Sequence, residues 1–389
     1  MGWNYRVVRH VPIPSPHPSP CRLRRPPTDM PHSPSRPSTS LHEFQLIETL
    51  HRRYGQTDSN VVCGIGDDAA VVKPIKGHEM VLTTDLLAEG VHFDLKTATF
   101  EDIGYKAAAA NLSDIAAMGA KPNYLLVSLA IPSSQAASEI QRLYRGLMSA
   151  CRRYGVDLIG GDTSASRHGL FLNIVLIGSV PVGRALTRGG ARAGDLLYLT
   201  GTIGDSLAGL RLLSARHGMK GSMLRSVKRS VQELTRRHLR PTPRLEMGQA
   251  LSRQRLATSA IDLSDGLSGD VRHICEQSHI GVEIDVDSLP ISSALREYAD
   301  MNKMDPIDVA LEGGEDYELL FTAAPRHRKK VEQLGRQIDC RLSCIGIVKP
   351  PAYGLRTKDQ SGTIRRLPML SYQHFPITHH HHREKSWSR

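Results

Sequence analysis

Residues 106–119 are Lys-Ala-Ala-Ala-Ala-Asn-Leu-Ser-Asp-Ile-Ala-Ala-Met-Gly, the second part of an alanine-rich run that begins at Phe100. Side chains this small predict a helix that packs closely against its neighbours, with Gly119 as a C-cap. Asn111 and Asp114 are three residues apart and therefore share one face of that helix. A carboxylate in such a place is either paired with a basic side chain or bound to metal. We expect Asp114 to bind metal, because other acidic motifs in the chain need a partner surface.

Five further motifs place a carboxylate beside Gly, Ser or Thr, usually where an apolar run ends. They are Gly64-Ile65-Gly66-Asp67-Asp68-Ala69-Ala70, Thr83-Thr84-Asp85, Gly160-Gly161-Asp162-Thr163, Asp262-Leu263-Ser264-Asp265-Gly266 and Gly313-Gly314-Glu315-Asp316. Carboxylates gathered from distant segments repel one another unless cations hold them, and hard oxygen ligands suit Mg²⁺. Because Mg²⁺ usually accompanies phosphate, the motifs predict phosphoryl transfer, although the chain contains no Gly-x-x-x-x-Gly-Lys-Ser/Thr loop.

Each motif alone also has a simpler structural interpretation. Asp68 suits an Asx turn between glycines, Asp85 suits the end of a strand, and Asp265 suits the N-cap of a helix that opens at Gly266. Arg188 could clamp a phosphate with two hydrogen bonds or lie on the surface, and His92 could contact a ligand or pack in the core. Six acidic motifs in one chain are hard to explain as turns alone, so we favour a metal site.

Composition limits the class of protein. The chain has 389 residues, with 40% hydrophobic and 23% charged residues, which is typical of a soluble enzyme with two packed domains. The net charge is +11, but a basic segment before Leu41 carries much of it, and aromatic residues make up only 5%. We therefore expect no nucleic-acid binding. The longest apolar runs fall short of the ~20 residues that a membrane helix needs, so no membrane span is expected. Scattered cysteines are consistent with reduced thiols and the cytoplasm.

The order of elements along the chain predicts an α+β fold. Residues 1–40 are rich in proline and arginine and are expected to be disordered. An N-terminal domain is predicted at 41–182, a C-terminal domain at 183–376 and a tail at 377–389. The strand-like runs are 80–84, 124–131, 156–159, 170–180, 196–200, 259–263, 282–286, 319–322 and 344–348. The helix-like runs are 100–118, 134–154, 203–216, 244–252, 266–277 and 325–334. The stretch 216–240 is interpreted as a helical excursion or a surface loop.

The motifs, in this order, resemble those of the thiamine-monophosphate kinases. The similarity runs from about Glu43 to Phe375 and rests on eight segments: 64–70, 83–85 with His92, 106–119, 158–162, 183–188, 238–244, 259–267 and 313–319. That family belongs to the superfamily of aminoimidazole ribonucleotide synthetase. The resemblance implies transfer of the γ-phosphoryl group of ATP to thiamine phosphate with several Mg²⁺ ions. It also implies two α/β domains and a homodimer paired through its N-terminal sheets.

The resemblance also implies roles for single residues. The implied metal ligands are Asp68, Thr83, Thr84, Asp85, Asp114, Asp162, Asp262 and Asp265. The implied catalytic carboxylates are Asp68, Asp85, Asp114, Asp162 and Asp265. The residues implied to contact ATP are Gly161, Asp162, Arg188, Ser264 and a residue near Tyr144 or Arg145. The residues implied to contact thiamine phosphate are His92, Glu315 and Tyr372. Tyr372 begins the segment Tyr-Gln-His-Phe, which departs from the usual Tyr-Asp-His-Phe of the family.

Other functions are considered beside the kinase. A selenophosphate synthetase of the same superfamily would need a reactive cysteine, and Cys63 has no evident activating base nearby in the sequence. A carbamoyl dehydratase of hydrogenase maturation would end in a catalytic cysteine, whereas this sequence ends in Arg389. An aminoimidazole ribonucleotide synthetase stays open as an alternative. A non-catalytic nucleotide-binding or metal-buffering protein would be expected to lack one or more acidic motifs, and all six are present.

Overall fold

The structure is a computed structural model that describes residues 43–55, 58–215, 228–368 and 370–372. The tails expected at 1–40 and 377–389 lie outside the described residues. The α+β class is confirmed, since helices alternate with two larger sheets and one strand pair. No helix in the described part of the chain is both long and apolar enough to cross a membrane. The domain bounds given above stay a prediction.

The N-terminal half builds a four-stranded sheet with helices on one side. Its elements are α1 (Glu43–Tyr54), β1 (Val61–Cys63), β2 (Val71–Val72), β3 (His78–Ala88), α2 (Phe100–Ala117), β4 (Lys121–Pro132), α3 (Ala137–Arg152), β5 (Asp157–Ser166) and β6 (Phe171–Pro181). The strand order is β3-β6-β4-β5, with β4 and β5 parallel and the other pairs antiparallel. Strands β1 and β2 pair separately.

The C-terminal half builds a seven-stranded sheet. Its elements are β7 (Leu196–Thr200), α4 (Asp205–Ala215), α5 (Lys228–Leu239), α6 (Leu245–Gln254), β8 (Ser259–Asp262), α7 (Leu267–Ser278), β9 (Gly281–Asp285), α8 (Ser293–Asn302), α9 (Pro306–Glu312), β10 (Leu319–Ala323), α10 (Arg328–Gln337), β11 (Leu342–Lys349), β12 (Leu355–Lys358) and β13 (Ile364–Arg366). The strand order is β13-β12-β9-β11-β7-β10-β8, antiparallel except for the pair of β12 and β9.

Helix α2 is almost wholly buried and packs as closely as its composition predicts. It begins with a capping box between Thr99 and Asp102. A Cβ atom added to Gly104 would lie 2.0 Å from the carbonyl oxygen of Leu143 on α3, and one added to Gly146 would lie 1.8 Å from that of Glu101. The backbones of α2 and α3 therefore touch, and only glycine fits at both crossing points.

The same helix joins the two halves of the chain. It packs on β3 and β6 of the first sheet and also contacts α6 and β8 of the second. A Cβ atom on Gly248 of α6 would lie 1.9 Å from the carbonyl oxygen of Ala116, so this crossing is equally close. The C-terminal turns of α2 are thus fixed between two sheets, and any side chain there is held in place from both sides.

Several local expectations are corrected. The Thr83-Thr84-Asp85 motif was expected at a strand end, but β3 pairs with β6 along its whole length and continues to Ala88. The 160–163 motif was expected to follow the strand-like run 156–159, but it lies inside β5. In both cases a long partner strand supplies the hydrogen bonds that a local pattern does not reveal. Helix α10 begins at Arg328, after a 3₁₀ turn at Pro325–His327. The stretch 216–240 was interpreted as a helical excursion or a surface loop. The structure describes residues 228–240 of it, and Lys228–Leu239 form helix α5.

Candidate active site

Three carboxylates from distant segments gather where α2 meets both sheets. Asp85 lies on β3, Asp114 on α2 and Asp262 at the end of β8; we call these three residues the acidic cluster. The hydroxyl of Thr83 donates a hydrogen bond to Asp114 Oδ2. Ser113 Oγ donates to Asp262 Oδ2 at 2.7 Å. Neutral hydroxyl donors thus hold two of the three carboxylates in place.

The electrostatics of the acidic cluster disfavour three negative charges. Burial raises the pKa of Asp85 to about 6, and the charge of Asp114 adds to that shift. Burial also raises the pKa of Asp114, against the hydrogen bond from Thr83 and the charge of Arg188. The pKa of Asp262 is raised by burial and then by Asp114, against the hydrogen bond from Ser113. A cation at this place would relieve the repulsion.

A cavity of about 510 Å³ opens over Asp114 and Asp262 of the acidic cluster. Its lining includes Thr83, Asp114, Arg188 and Asp262, which come from both halves of the chain. Arg188 lies close enough to lower the pKa of Asp114 by its charge. The structure therefore brings the predicted phosphate-binding arginine to the predicted metal ligands.

The turn after Asp262 carries two further predicted residues, Ser264 and Asp265. The N–H of Glu315 donates to the carbonyl oxygen of Ser264 at 2.8 Å, and the N–H of Tyr372 donates to that of Asp265 at 3.2 Å. Asp270, which the sequence did not single out, accepts the N–H groups of Asp265 and Gly266. The turn is thus tied down from three separate segments.

A second cavity, of about 600 Å³, lies at the first turns of α2, whereas the first cavity lies at its C-terminal end. His92, Lys106, His238 and Glu315 contribute to its lining. The predicted substrate residues His92 and Glu315 therefore share one cavity. The described lining does not include Tyr372, whose side chain is 54% exposed and whose backbone is joined to Asp265 instead.

Lys106 and His238 hold Glu315 at the edge of this second cavity. Lys106 Nζ lies 2.8 Å from Glu315 Oε1, and its side chain is only 4% exposed. Burial acts to raise the pKa of Glu315, but the charge and hydrogen bond of Lys106, together with His238 and His92, outweigh burial and hold that pKa below its usual value. Burial and Lys106 lower the pKa of His238 to about 4, so the imidazole is neutral at pH 7.

The geometry of this group fixes the tautomer of His238. Lys106 Nζ lies 3.5 Å from Nε2, and an ammonium group can only donate, so Nε2 is the acceptor. Nδ1 then carries the proton and donates to Ser206 Oγ at 3.0 Å. Glu315 Oε2 is 3.6 Å from the same nitrogen, beyond normal hydrogen-bond length. One carboxylate oxygen of Glu315 is therefore engaged by Lys106, and the other is the better placed to meet a ligand.

The backbone around Glu315 is strained. Glu315 has φ 61° and Tyr317 has φ 52°, in the left-handed region that non-glycine residues rarely adopt. The N–H of Tyr317 donates to the carbonyl oxygen of Leu263 at 2.9 Å, which fixes this conformation. Strained residues of this kind concentrate at functional sites, and here they join the second cavity to the turn that carries Ser264 and Asp265.

Other predicted ligands lie apart from the acidic cluster. Strand alternation places Thr84 and Asp162 on the face of the four-stranded sheet opposite Thr83 and Asp85. Thr84 Oγ1 donates to Asn173 Oδ1 on that face at 3.1 Å. Asp68 lies in an exposed loop, where its N–H donates to Asp67 Oδ1 at 2.9 Å. Gly161 lies against β4, since a Cβ atom there would be 1.9 Å from the carbonyl oxygen of Val127.

The two residues on α3 that were expected near the nucleotide lie on opposite faces of that helix. Tyr144 is 3% exposed within the hydrophobic core, so it offers no surface to a nucleotide. Arg145 points away from the core and pairs with Glu101 at 2.6 Å. The periodicity of α3 explains this outcome, because a helix that covers a sheet buries one face. A nucleotide contact by either residue stays untested.

Among the residues the structure describes, no three His, Cys, Asp or Glu side chains converge closely enough to hold one metal ion. The donor chemistry nevertheless fits Mg²⁺, because the acidic cluster supplies hard carboxylate oxygens whose mutual repulsion a cation would offset. The carboxylates of Asp114 and Asp262 instead accept hydrogen bonds from Thr83 and Ser113.

Comparison with known proteins shows two family domains. The model of the AIR synthase related protein N-terminal domain matches residues 66–180, and that of the C-terminal domain matches residues 192–354. The thiamine-monophosphate kinase of Escherichia coli K12 is 39% identical over 335 residues, which cover 86% of this chain and 98% of that protein.

Solved structures agree with that comparison. The thiamine-monophosphate kinase of Stenotrophomonas maltophilia K279a is 36% identical with a TM-score of 0.72, and the match covers 85% of this chain and 98% of that one. A structure of AaThiL complexed with AMPPCP and TMP is 33% identical with a TM-score of 0.67, over 86% of this chain and 97% of that one.

Proposed function

The chain belongs to the thiamine-monophosphate kinases, within the AIR synthase related proteins, and we propose that it transfers the γ-phosphoryl group of ATP to thiamine phosphate. The relatives at 36–39% identity support this activity, and the complex of a relative with an ATP analogue and TMP supports both substrates. One observation in this chain carries the proposal. The acidic cluster lies beside the turn of Ser264 and Asp265, and a backbone hydrogen bond ties that turn to Glu315.

The reaction is a direct displacement. A phosphate oxygen of thiamine phosphate attacks the γ-phosphorus of ATP, the bond from that phosphorus to the β,γ-bridging oxygen breaks, and ADP leaves. The products are thiamine diphosphate and ADP. The attacking oxygen needs little deprotonation, so positioning and charge neutralisation can supply the catalysis without a dedicated general base.

Mg²⁺ is part of the proposal. When bound, it would neutralise the phosphate charges that build up between the two anionic substrates. The residues of this chain that would hold it are Asp85, Asp114, Asp262 and Asp265, with Thr83 as a neutral oxygen donor. Asp68, Thr84 and Asp162 stay proposed ligands, and they lie apart from the acidic cluster in a single chain.

The second cavity suits the organic part of thiamine phosphate. Glu315 offers a carboxylate oxygen that Lys106 leaves available, and the thiazolium ring of the substrate is a cation. His92 accepts the N–H of Ala88 at 3.1 Å, which orients its ring at the cavity wall. Gly161, Arg188 and Ser264 are proposed to contact ATP, since the cavity over the acidic cluster contains Arg188. Tyr372 is proposed to contact the substrate next to Asp265.

A homodimer paired through the N-terminal sheets also belongs to the proposal. Strand β3 is an edge strand of its sheet, and it exposes Met80, Leu82 and Leu86 by 56%, 62% and 57%. An edge strand with an exposed apolar face favours association. The reaction is proposed to take place in the cytoplasm, which agrees with the free thiols among the described cysteines.

The test of the activity is a chromatographic measurement of product. The purified protein is incubated with ATP, MgCl₂ and thiamine phosphate, and unphosphorylated thiamine replaces the substrate in a matched reaction. Thiamine diphosphate and ADP in equal amounts, with no product from thiamine, would support the proposal. The proposal would be contradicted if the reaction with unphosphorylated thiamine gave product and the reaction with thiamine phosphate did not. Hydrolysis of ATP without formation of thiamine diphosphate would contradict it as well.

A further inference from the structure

Asp270 is a buried carboxylate that the proposed reaction does not use. It lies on the first turns of α7 and is 1% exposed. Its Oδ2 accepts the N–H of Asp265 at 3.2 Å and the N–H of Gly266 at 3.0 Å. In the described part of the chain no basic side chain pairs with it. Its only described hydrogen bonds therefore go to the turn that carries Asp265.

This turn has little freedom. Gly266 has φ 113°, and a Cβ atom there would lie 2.9 Å from the carbonyl oxygen of Gly313, so the turn packs directly on the segment that leads to Glu315. The bonds from Glu315, Tyr317 and Tyr372 all end on carbonyl oxygens of the turn. Among the described residues, Asp270 is the group that accepts the N–H groups of Asp265 and Gly266 in this turn. Without Asp270, those two N–H groups would lose their partner.

A plain capping role does not explain the choice of residue. Gly266 at the N-cap of α7 has no side chain, so an acceptor further along the helix is useful for stability. Asp270, however, accepts the N–H of Asp265, which precedes the N-cap, as well as the N–H of Gly266 itself. A cap that served only the helix would not need to bond to Asp265. The position makes sense if the geometry of Asp265 itself is what matters.

We propose that Asp270 is a positioning residue, which orients Asp265 and its turn for Mg²⁺ binding by accepting the N–H groups of Asp265 and Gly266. It touches neither the metal nor the substrate. Groups that orient metal ligands in this way typically change metal affinity by about 10- to 100-fold when they are removed. This inference rests on the proposed function, because it takes Asp262 and Asp265 as Mg²⁺ ligands.

The test uses three variants of the full chain and measures Mg²⁺ binding by calorimetry without ATP or thiamine phosphate. Asp270→Ala removes the acceptor and is expected to weaken Mg²⁺ binding by about tenfold or more. Asp270→Asn keeps an acceptor oxygen in place and is expected to stay within about threefold of wild type. Asp270→Glu keeps the charge but moves the acceptor by one methylene, and it is expected to weaken binding more than Asp270→Asn.

Unchanged Mg²⁺ affinity in Asp270→Ala would overturn the inference. Equal losses of Mg²⁺ affinity in Asp270→Asn and Asp270→Ala would also overturn it, because they would assign the effect to the charge of Asp270. If Asp270→Ala does not fold, the order of Asp270→Asn and Asp270→Glu decides the same question. Asp195→Ala is the control, since Asp195 is 4% exposed, accepts the N–H of Arg192 at 3.0 Å and lies at the opposite end of the same sheet. Failure of the wild-type protein to bind Mg²⁺ would instead contradict the proposed function.

Discussion

Ser113 on α2 donates a hydrogen bond of 2.7 Å to Asp262 at the end of β8, and both side chains are buried. This single bond crosses 149 residues of sequence and joins the two halves of the chain at the acidic cluster. It fixes the distance between the neighbouring Asp114 and Asp262, which are proposed to share Mg²⁺.

Ser113→Ala is therefore expected to destabilise the protein by ~1–3 kcal/mol, because it leaves a buried carboxylate without its hydroxyl donor. The free energy of unfolding in urea measures the effect. Ser214→Ala is the matched control, since the hydroxyl of Ser214 is exposed and bonds within its own helix to Leu210. Equal stability of the Ser113→Ala variant and the control would show that the bond contributes nothing.

Asp85→Asn is expected to stabilise the metal-free protein at pH 8. The pKa of Asp85 is raised to about 6 in the folded protein from an ordinary value of 3.8. The protonated carboxyl group therefore stabilises the fold fully below pH 3.8, and this stabilisation is lost as the pH rises through 6. Removing the charge recovers up to ~3 kcal/mol at pH 8. The gain should disappear near pH 4, and thermal unfolding at both pH values measures it. A loss of stability at pH 8 would refute the repulsion argument.

The same variant should respond weakly to Mg²⁺. Wild type gains stability from Mg²⁺ because the cation offsets the repulsion within the acidic cluster, whereas Asp85→Asn has lost one ligand and part of that repulsion. The rise in melting temperature between 0 and 10-fold saturating Mg²⁺ is expected to be smaller in the variant. An equal rise in both proteins would exclude Asp85 from the metal site.

Lys106→Met is expected to destabilise the protein by ~1–3 kcal/mol, because it leaves the partly buried Glu315 without its ammonium partner. The double variant Lys106→Met/Glu315→Gln has no charge at either position and should recover most of that loss. The free energy of unfolding of the two single variants and the double variant measures the coupling. Additive effects of the two substitutions would show that the ion pair does not stabilise the fold.

Glu315→Gln is expected to raise the KM for thiamine phosphate by about tenfold, since the cationic ring would lose one charged contact of ~1.4 kcal/mol. The KM for ATP should stay within twofold, because Glu315 lies in the second cavity and not in the cavity over the acidic cluster. Steady-state kinetics with each substrate varied in turn measure both values. Equal rises in both KM values would place Glu315 elsewhere.

Gly146→Ala is expected to destabilise the protein by at least ~2 kcal/mol, because the added methyl group would overlap the carbonyl oxygen of Glu101 where α2 and α3 cross. Ser149→Ala, one turn further along α3, is the control, since the hydroxyl of Ser149 bonds to Gly146 O of the same helix. Thermal unfolding of the two variants measures the difference. Equal melting temperatures would mean that the helices can separate without loss.

The sequence predicted the parts of the fold that local patterns determine. Helix α2 follows from its alanine content and β7, β8 and β10 follow from short apolar runs, so their bounds agree within a few residues. The strand end expected after Thr84 was wrong, because the pairing of β3 with β6 continues past Asp85. Hydrogen bonds to a distant strand leave no local signature, and so strand length was the least predictable feature.

The candidate site was predictable in its carboxylates but not in the groups that hold them. Asp114 and Asp262 stand in motifs that the sequence displays. Ser113 stands beside Asp114 in the same motif but was given no role, and Asp270 appears as an ordinary helix residue. His238 reaches Lys106 across 132 residues. The sequence marked 216–240 as an excursion or a loop and 238–244 as a segment of the family resemblance, but it gave His238 no role. Contacts of that range depend on how α2 and α5 pack, and one sequence does not encode such packing in a visible pattern.

The most direct test of the account is the rate of thiamine diphosphate formation by wild type and by Asp114→Asn at saturating Mg²⁺, ATP and thiamine phosphate. Asp114 interacts with both other carboxylates of the acidic cluster, so the variant is expected to lose at least ~100-fold in rate, while its melting temperature measured without Mg²⁺ stays at or above that of wild type. Ser149→Ala on α3 should keep the wild-type rate, since Ser149 bonds within its own helix and lines neither cavity. A wild-type rate in Asp114→Asn would contradict the account, and so would a wild-type protein that binds ATP but forms no thiamine diphosphate.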